Sequence, residues 1–323
     1  MTPHEPCGTA DFGITDASAP APVIGMAAWT AVLADVSRLA RPRIALMVLA
    51  TVVTAAWLTA GRPTNVPELA WLLVGTALVA ASSSIANQIL ERNTDRLMPR
   101  TANRPIVAGR LTVRTAAVLA AVTLLLGVTI STLAAGWQPT AAAMATWLLY
   151  VLVYTPLKRY TPLNTAVGAV AGALPVAIGW LAADGPARLQ AGNATGALAV
   201  AALGTVLYLW QFPHFMAIAW LYRSQYAAAG LRMLTVVDPT GLRAGGQSLA
   251  AALAMVPVSL VLAVPSGSIR LFLAAAVAAI IYCVATIRFA IRRDDVSARG
   301  LLLTSLGCLL GLLTAAVVFG RPT

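Results

Sequence analysis

The sequence predicts an all-α polytopic membrane protein, with about nine transmembrane helices around a central cavity that is open at the cytoplasmic side. Of its 323 residues, 59% are hydrophobic and only 10% are charged, and the mean hydropathy is +0.81. Apolar surface on this scale exceeds what one soluble core buries. Apolar runs of membrane-spanning length also recur along the whole chain, which is typical of a multi-pass protein.

Nine apolar runs are long enough to cross a bilayer, since a membrane helix needs roughly 17–25 such residues. The fourth run is short and the sixth contains Pro213, so counts of eight and ten also stay open. The runs cover about residues 44–60, 69–90, 114–134, 140–155, 163–183, 195–221, 248–264, 269–287 and 301–319.

The basic residues predict the orientation of these spans. Eighteen of the 22 lysines and arginines lie in the N-terminal flank or in the loops after even-numbered spans, whereas Arg62, Arg188, Arg270 and Arg321 lie on the other side. The positive-inside rule makes the basic side cytoplasmic, and the N-terminus with it. The net charge of +11 therefore reflects topology and anion binding. Nucleic-acid recognition is not expected, because the chain lacks a soluble domain to carry it.

Residues 1–36 are predicted to form a disordered cytoplasmic tail ahead of a transmembrane domain at 37–323. The tail is rich in Ala, Pro, Thr and Ser, and no basic start precedes an apolar run, so it fits neither a signal peptide nor a mitochondrial presequence. Cys7, Cys283 and Cys308 lie far apart in the chain, which supports neither a disulfide framework nor a zinc site.

The stretch "NQILERNTDRLMPRTANRP" (87–105) places carboxylates at the end of the second span. Asn87, Glu91 and Asp95 are spaced at i, i+4 and i+8, so on a helix they share one stripe. Charges at membrane depth cost roughly 2.5–3.5 kcal/mol each on insertion scales, and they persist where they face an aqueous cavity or bind a ligand. The alternative is that the helix ends at Asn87 and the acids lie in water, paired with nearby arginines.

Arginines follow this stripe and favour a metal and anion site. Pro99 and Pro105 bracket Arg100 and Arg104, so a short loop is expected to present both guanidinium groups beside the carboxylates. Carboxylates suit Mg²⁺, which takes further ligands from substrate phosphates, and arginine binds phosphate oxygens bidentately. The combination predicts a site for a diphosphate ester.

Two further polar clusters are expected at the same membrane face. The stretch "YTPLKRYTPLN" holds Tyr154, Lys158, Arg159 and Asn164, and by itself it is also typical of a basic loop that sets topology. The third cluster lies in and after the sixth span, where Pro213 is expected to open the helix; its members are Gln211, His214, Arg223, Gln225 and Tyr226. A buried histidine is more often structural than a ligand, but the common placement predicts one pocket for an amphiphilic substrate such as a prenyl diphosphate. A transporter, with a site near the midplane of repeated halves, is a less natural interpretation.

With these motifs the chain resembles the UbiA-type intramembrane prenyltransferases and, within them, the protohaem IX farnesyltransferases (haem O synthases). The resemblance covers about residues 40–320 and includes the segments "YTPLKRYTPLNTAVGAVAGALPVAIGW" and "WQFPHF". The pattern N-x-x-x-[DE]-x-x-x-D-x-x-M-x-R-T-x-x-R-P is complete here as Asn87, Glu91, Asp95, Met98, Arg100, Thr101, Arg104 and Pro105.

The resemblance implies that a farnesyl group and water are added to the 2-vinyl group of haem B, with release of diphosphate. It assigns Mg²⁺ binding to Asn87, Glu91 and Asp95, and neutralisation of the leaving group to Arg100, Arg104, Lys158 and Arg159. Tyr154 is expected to shield the allylic cation, and His214 to bind haem through iron or a propionate. The other expected substrate contacts are Asn164, Gln211, Arg223, Gln225 and Tyr226.

The third motif departs from the pattern of this group, which carries acidic residues before the tyrosine where this chain has Ser224 and Gln225. A second Mg²⁺ site is therefore not expected, unless Asp238 downstream replaces the missing charge. The resemblance also implies a bacterial cytoplasmic (inner) membrane location, with farnesyl diphosphate, haem B, membrane lipid and a haem A synthase as partners.

Two other functions are weighed against this one. A quinone or other aromatic prenyltransferase would share the stripe from Asn87 to Asp95, but it has no need of the histidine in "WQFPHF". A haem-binding or haem-transporting membrane protein without catalysis would need the histidine but not the carboxylate stripe.

Overall fold

The computed structural model describes residues 26–61 and 65–320, and within them nine helical spans are long and apolar enough to cross a membrane. The prediction of nine spans is confirmed. The helices are α1 (Met26–Ala40), α2 (Pro42–Ala60), α3 (Val66–Asp95), α4 (Val113–Ala135), α5 (Trp137–Leu148), α6 (Thr155–Leu157), α7 (Asn164–Ala173), α8 (Pro175–Ala182), α9 (Gly185–Gln190), α10 (Ala194–Leu221), α11 (Arg223–Ala228), α12 (Leu234–Val237), α13 (Leu242–Val261), α14 (Ile269–Arg292) and α15 (Asp295–Phe319). A π-helical segment, Leu149–Tyr154, joins α5 to α6 in the fourth span, and α7 with α8 forms the fifth.

The spans pack in a closed arrangement, in which the last span returns to the first. Neighbours in the chain pack on one another, α8 lies against both α2 and α5, and α15 returns to pack on α2. The long α10 contacts α2, α7, α13 and α15, and its apolar side chains contribute most to the largest buried cluster. Large apolar side chains such as Leu125, Leu133 and Ile280 point outward, as expected where lipid is the solvent.

Helix α1 corrects the boundary predicted for the N-terminal tail. Residues 26–36 are helical, and residues 1–25 lie outside the described residues. Leu39 of α1 is fully buried, and its carbonyl accepts a 2.9 Å hydrogen bond from Gln88 Nε2 on α3. The prediction rested on the composition of the tail as a whole, whereas α1 is held on its neighbours by a few buried side chains near its C-terminal end, Asp35 and Leu39.

An ion pair ties α1 to the loop after α3. Asp35 Oδ2 accepts a 2.8 Å bond from Arg110 Nε, and Arg110 also donates from Nη2 to the Asn103 carbonyl at 2.9 Å. The Arg110 hydrogen bond holds the pKa of Asp35 below its ordinary value. Ionised Asp35 therefore stabilises the fold at pH values above about 3.9, the pKa of an unfolded aspartate. That contribution is lost as the pH falls through the lower pKa of Asp35 in the folded protein.

Acidification below about pH 4 is accordingly expected to release α1 from residues 100–112. The measurement is hydrogen exchange of that loop, expressed as protection factors so that the intrinsic pH dependence is removed. Asp35→Asn should make the loop exchange rapidly at every pH and abolish the acidic step. Exchange of α14, which makes no contact with Asp35, serves as the internal control; an unchanged step in Asp35→Asn would contradict the assignment.

Pro213 does not interrupt α10, which continues from Ala194 to Leu221, so the expectation that the helix opens there is wrong. Proline removes one backbone donor and crowds the preceding turn. Nearby, the Trp210 carbonyl accepts a 2.6 Å hydrogen bond from the Tyr282 hydroxyl on α14. This bond from a neighbouring helix fixes the turn next to Pro213, and the helix stays whole.

Close backbone approach between α8 and α2 depends on Gly179. A Cβ atom at this position would overlap the Val52 carbonyl oxygen and lie 2.9 Å from the Ala56 nitrogen, and both belong to the α2 backbone. Gly179→Ala is therefore expected to destabilise the protein by about 1–3 kcal/mol, as overpacking does, measured as a lower midpoint of thermal unfolding in detergent. Gly246→Ala on α13 is the matched control, because a Cβ atom there would meet no atom of another described element within 4 Å. It should be neutral or stabilising, and equal effects of the two substitutions would refute the role of Gly179.

Candidate active site

The predicted carboxylate stripe lies inside the protein at the end of α3. Asn87, Glu91 and Asp95 are only 1%, 9% and 0% exposed, and α3 remains helical through Asp95. The alternative in which the helix ends at Asn87 and the acids lie in water is therefore wrong. Buried carboxylates need compensation by cations or hydrogen bonds, and the next loops of the chain supply it.

Two partly buried cations compensate the two carboxylates. Lys158 Nζ lies 2.7 Å from Glu91 Oε1. Arg104 Nη1 lies 3.8 Å from Glu91 Oε2 and also bonds Asp95 Oδ2. Burial disfavours the charged form of Lys158, but the attraction of Glu91 outweighs it and raises the pKa of Lys158, so this ammonium group stays protonated. These four groups balance one another in charge, and the Arg41 guanidinium also acts electrostatically on Glu91 and Arg104.

Two buried oxygen atoms of the stripe lack a hydrogen-bond partner among the described residues, namely Asn87 Oδ1 and Asp95 Oδ1. The Asn87 amide is oriented by its nitrogen, which donates to Thr155 Oγ1 at 3.0 Å. A buried acceptor without a partner costs about 1–3 kcal/mol, which makes these atoms candidates for ligand binding. Amide and carboxylate oxygens suit Mg²⁺, so the donor set fits the predicted metal.

The donor set also limits how such a metal is held. No group of three or more His, Cys, Asp and Glu side chains suited to a metal occurs in the described part of the chain. Protein oxygens alone would therefore leave an ion incompletely coordinated. Mg²⁺ accepts this arrangement, since it usually keeps several waters and shares substrate phosphates.

The π-helical segment before α6 sets the position of the second cluster. The Thr155 amide and hydroxyl both donate to the Tyr150 carbonyl, the hydroxyl at 2.9 Å, and π-turns of this kind are frequent at functional sites. The Tyr150 and Tyr154 rings lie 5.3 Å apart, and Lys158 Nζ lies 4.4 Å from the Tyr154 centroid. Sequence reasoning missed Tyr150 and Thr155; an i to i−5 bond leaves no helical periodicity to detect.

Arg100 links the loop after α3 to the third cluster. Its guanidinium group lies 4.5 Å from the centroid of the Tyr222 ring and donates to the Tyr226 hydroxyl at 3.4 Å. Its backbone N–H donates to Gln225 Oε1 at 3.4 Å. Gln225 thus anchors this loop through a neutral amide. Tyr222 is a further residue that sequence reasoning missed.

Asp238 does not replace the missing acidic residue. Its carboxylate accepts hydrogen bonds from the Thr240 hydroxyl at 2.5 Å and from the Arg243 backbone N–H at 2.8 Å, in the turn before α13. These bonds lower the pKa of Asp238. The carboxylate is therefore committed to local structure.

Three other predicted site residues make peripheral contacts. Arg223 bonds Asp295 at 2.9 Å and lies over the Trp220 ring. Arg159 donates to the Leu90 carbonyl at 3.4 Å. Asn164 Nδ2 donates to the Thr161 and Arg232 carbonyls at 2.7 and 3.3 Å.

Gln211 and His214 make no direct contact with the carboxylate cluster. Gln211 Nε2 donates to the Ala169 and Leu207 carbonyls, each at 3.0 Å. His214 Nδ1 lies 2.7 Å from Ser305 Oγ on α15. An apolar groove of about 380 Å³ lies between α7, α8 and α10, and no ionised side chain lines it. The single pocket predicted for all three clusters is thus joined by side-chain contacts only at the end of the spans where α3 meets the loop that follows it.

Comparison with known proteins gives concordant results. The model of the UbiA prenyltransferase family matches residues 48–319. The protoheme IX farnesyltransferase of Rhodopirellula baltica is 47% identical over 70% of this chain and 76% of its own length. The protoheme IX farnesyltransferase of Solibacter usitatus is 36% identical over 82% and 88%. The structure of a UbiA homologue from Archaeoglobus fulgidus bound to GPP and Mg²⁺ matches with a TM-score of 0.61 at 17% identity. The match covers 88% of this chain and 99% of that one, and it shows a likeness of fold.

Proposed function

The chain belongs to the UbiA prenyltransferase family, and from this premise we propose that it converts haem B, farnesyl diphosphate and water to haem O and diphosphate. Farnesyltransferases of protohaem IX at up to 47% identity support this choice of substrates. The observation that carries the proposal is the buried stripe on α3, with its two unpartnered oxygens and its two cations.

Asn87 Oδ1 and Asp95 Oδ1 would hold Mg²⁺, together with Glu91 once a diphosphate competes for Lys158. The metal supplies Lewis-acid neutralisation of the diphosphate, which is worth several kcal/mol at a developing anion. Gln225 is neutral, and its Oε1 atom accepts a hydrogen bond from the Arg100 backbone N–H. The third cluster therefore adds no carboxylate ligand, which supports one metal ion and not two.

Arg104, Lys158 and Arg100 would stabilise the leaving diphosphate. Arg104 and Lys158 already lie against the carboxylates. Only a short movement would bring them to the oxygens of a diphosphate bound beside the stripe. Preorganised cations in a dry site lower the barrier without reorganisation of solvent. The electron pair of the C1–O bond leaves with diphosphate, and an allylic cation remains.

The rest of the reaction needs a shielded apolar space. The ring face of Tyr154 would stabilise the allylic cation electrostatically. The centroid of this ring lies 5.3 Å from that of Tyr150. The groove between α7, α8 and α10 offers an apolar surface for a farnesyl chain. The haem vinyl group then attacks C1, the new cation takes up water, and one proton is released to give the hydroxyethylfarnesyl side chain.

The location in the cell follows from the same proposal. We place the chain in a bacterial cytoplasmic membrane, with its N-terminus and the carboxylate cluster at the cytoplasmic face. The 18-to-4 division of basic residues supports that orientation. A haem A synthase is the proposed recipient of the product.

The test is an assay of the purified protein in detergent with haem B, farnesyl diphosphate and Mg²⁺, with the products resolved by mass. A species heavier than haem B by a farnesyl group plus water, lost on chelation of the metal, is expected. Parallel reactions replace haem B with a hydroxybenzoate. Prenylation of that acceptor without haem O would refute haem as substrate, and haem binding without any product would refute catalysis.

A further inference from the structure

Ser305 on α15 holds two stacked rings of α10. The Trp210 and His214 rings lie 4.6 Å apart at an interplanar angle of 23°. The Ser305 carbonyl accepts from Trp210 Nε1 at 2.8 Å, and Ser305 Oγ lies 2.7 Å from His214 Nδ1. One serine therefore contacts both rings, through its backbone and through its side chain.

The hydroxyl hydrogen of Ser305 is committed to its own helix. Ser305 Oγ donates to the Leu302 carbonyl at 2.6 Å, and a serine hydroxyl has a single hydrogen to donate. Towards His214, the oxygen can then only accept. His214 Nδ1 must carry the proton in this pair, and in a neutral imidazole Nε2 is then the unprotonated nitrogen.

The Nε2 atom of His214 accordingly keeps a lone pair that could bind a metal. Among the described residues, Nδ1 of His214 is hydrogen-bonded and Nε2 takes part in no hydrogen bond, yet Nε2 is not among the buried unpartnered atoms. The side chain as a whole is only partly buried. This is the state of a metal-ligating histidine whose other nitrogen donates to a fixed oxygen.

We propose that Ser305 is a positioning residue that fixes His214 as its Nδ1–H tautomer, so that Nε2 ligates the iron of the haem substrate. The inference rests on the proposed function for the identity of the porphyrin. It selects between the two ways in which this histidine was expected to bind haem. A propionate would need an N–H at Nε2, which this tautomer lacks.

The experiment measures haem binding to the full chain in detergent, separately from turnover. The ferrous haem B complex is expected to show an iron–histidine stretching band by resonance Raman spectroscopy. The chain has two histidines, His4 and His214. The band should survive His4→Ala and disappear in His214→Ala, and its persistence in His214→Ala would overturn the proposal without any need for a serine variant.

Ser305 is tested by its effect on the same complex. Ser305→Ala is expected to raise the Kd for haem B about tenfold and to lower the frequency of the band, because a hydrogen bond at Nδ1 increases ligand basicity. Ser305→Thr keeps the hydroxyl, so it should weaken haem binding less than Ser305→Ala does, although its extra methyl group enters a fully buried site. Ser248→Ala, which removes another fully buried serine that donates to its own helix carbonyl, is the matched control.

Metal-free protoporphyrin IX separates iron ligation from propionate recognition. It keeps both propionates, so its Kd should be the same in the parent, His214→Ala and Ser305→Ala. A parallel loss of protoporphyrin affinity would assign His214 to a propionate and refute the proposal. A parent protein that forms haem O but shows no iron–histidine band would refute ligation alone; one with the band but no product would refute the proposed reaction alone.

Discussion

Asp95→Asn is expected to lower kcat for haem farnesylation by about a thousandfold, because a bound metal contributes several kcal/mol at the leaving group and each 1.36 kcal/mol is tenfold in rate. The substitution preserves shape and one oxygen. It removes the charge from a side chain that is 0% exposed and whose Oδ1 atom has no hydrogen-bond partner among the described residues. Turnover at saturating substrate, measured across a range of Mg²⁺ concentrations, tests it.

Haem binding should survive Asp95→Asn, since His214 contacts Trp210 and Ser305 and not the stripe. The matched control is Asp184→Asn, which changes another aspartate to its amide in the left-handed conformation that asparagine tolerates. Asp184 precedes α9, at the opposite end of the spans. Wild-type turnover of Asp95→Asn at ordinary Mg²⁺ would remove this residue from the metal site.

Local patterns in the sequence were enough to predict the spans and the stripe. Apolar length alone marks each membrane helix, and the i, i+4, i+8 spacing alone puts Asn87, Glu91 and Asp95 on one face. Proline positions likewise predicted the loop that carries Arg100 and Arg104. Each of these predictions uses a pattern within a single span or a single loop.

Partners distant in sequence could not be predicted in this way. Lys158 pairs with Glu91 67 residues away, and His214 with Ser305 91 residues away. Such pairs depend on which helices become neighbours, and hydropathy does not specify that. The roles of Gln225 and Asp238 were missed for a related reason, since a motif position gives residue type but not the hydrogen bonds it makes.

The ion pair between Lys158 and Glu91 gives the second large effect. Lys158→Met is expected to lower the free energy of unfolding by about 3–5 kcal/mol, because it leaves a buried carboxylate without its closest cation. The side chains of Lys158 and Glu91 are only 15% and 12% exposed. Turnover should fall about a hundredfold or more, as for other lost groups that stabilise a developing anion.

Arg159→Met is the control for Lys158→Met, since the neighbouring guanidinium is exposed to solvent and donates only to a backbone carbonyl at 3.4 Å. It should change the unfolding midpoint little. An equal loss in Arg159→Met would mean that the basic loop stabilises the protein through its total charge. Thermal unfolding in one detergent, at one ionic strength, compares the two variants.

Adding Glu91→Gln to Lys158→Met separates the structural part of this loss from the catalytic part. The double variant has no buried unpaired charge at this pair, and Arg104 keeps Asp95 as its partner. Most of the lost stability should therefore return, because a neutral pair of similar shape avoids the desolvation cost. Turnover should stay low, because the diphosphate has lost both an ammonium group and a metal-facing carboxylate. Recovery of turnover together with stability would show that Lys158 serves the fold alone, whereas stability that remains low would show that Glu91 is not what Lys158 compensates.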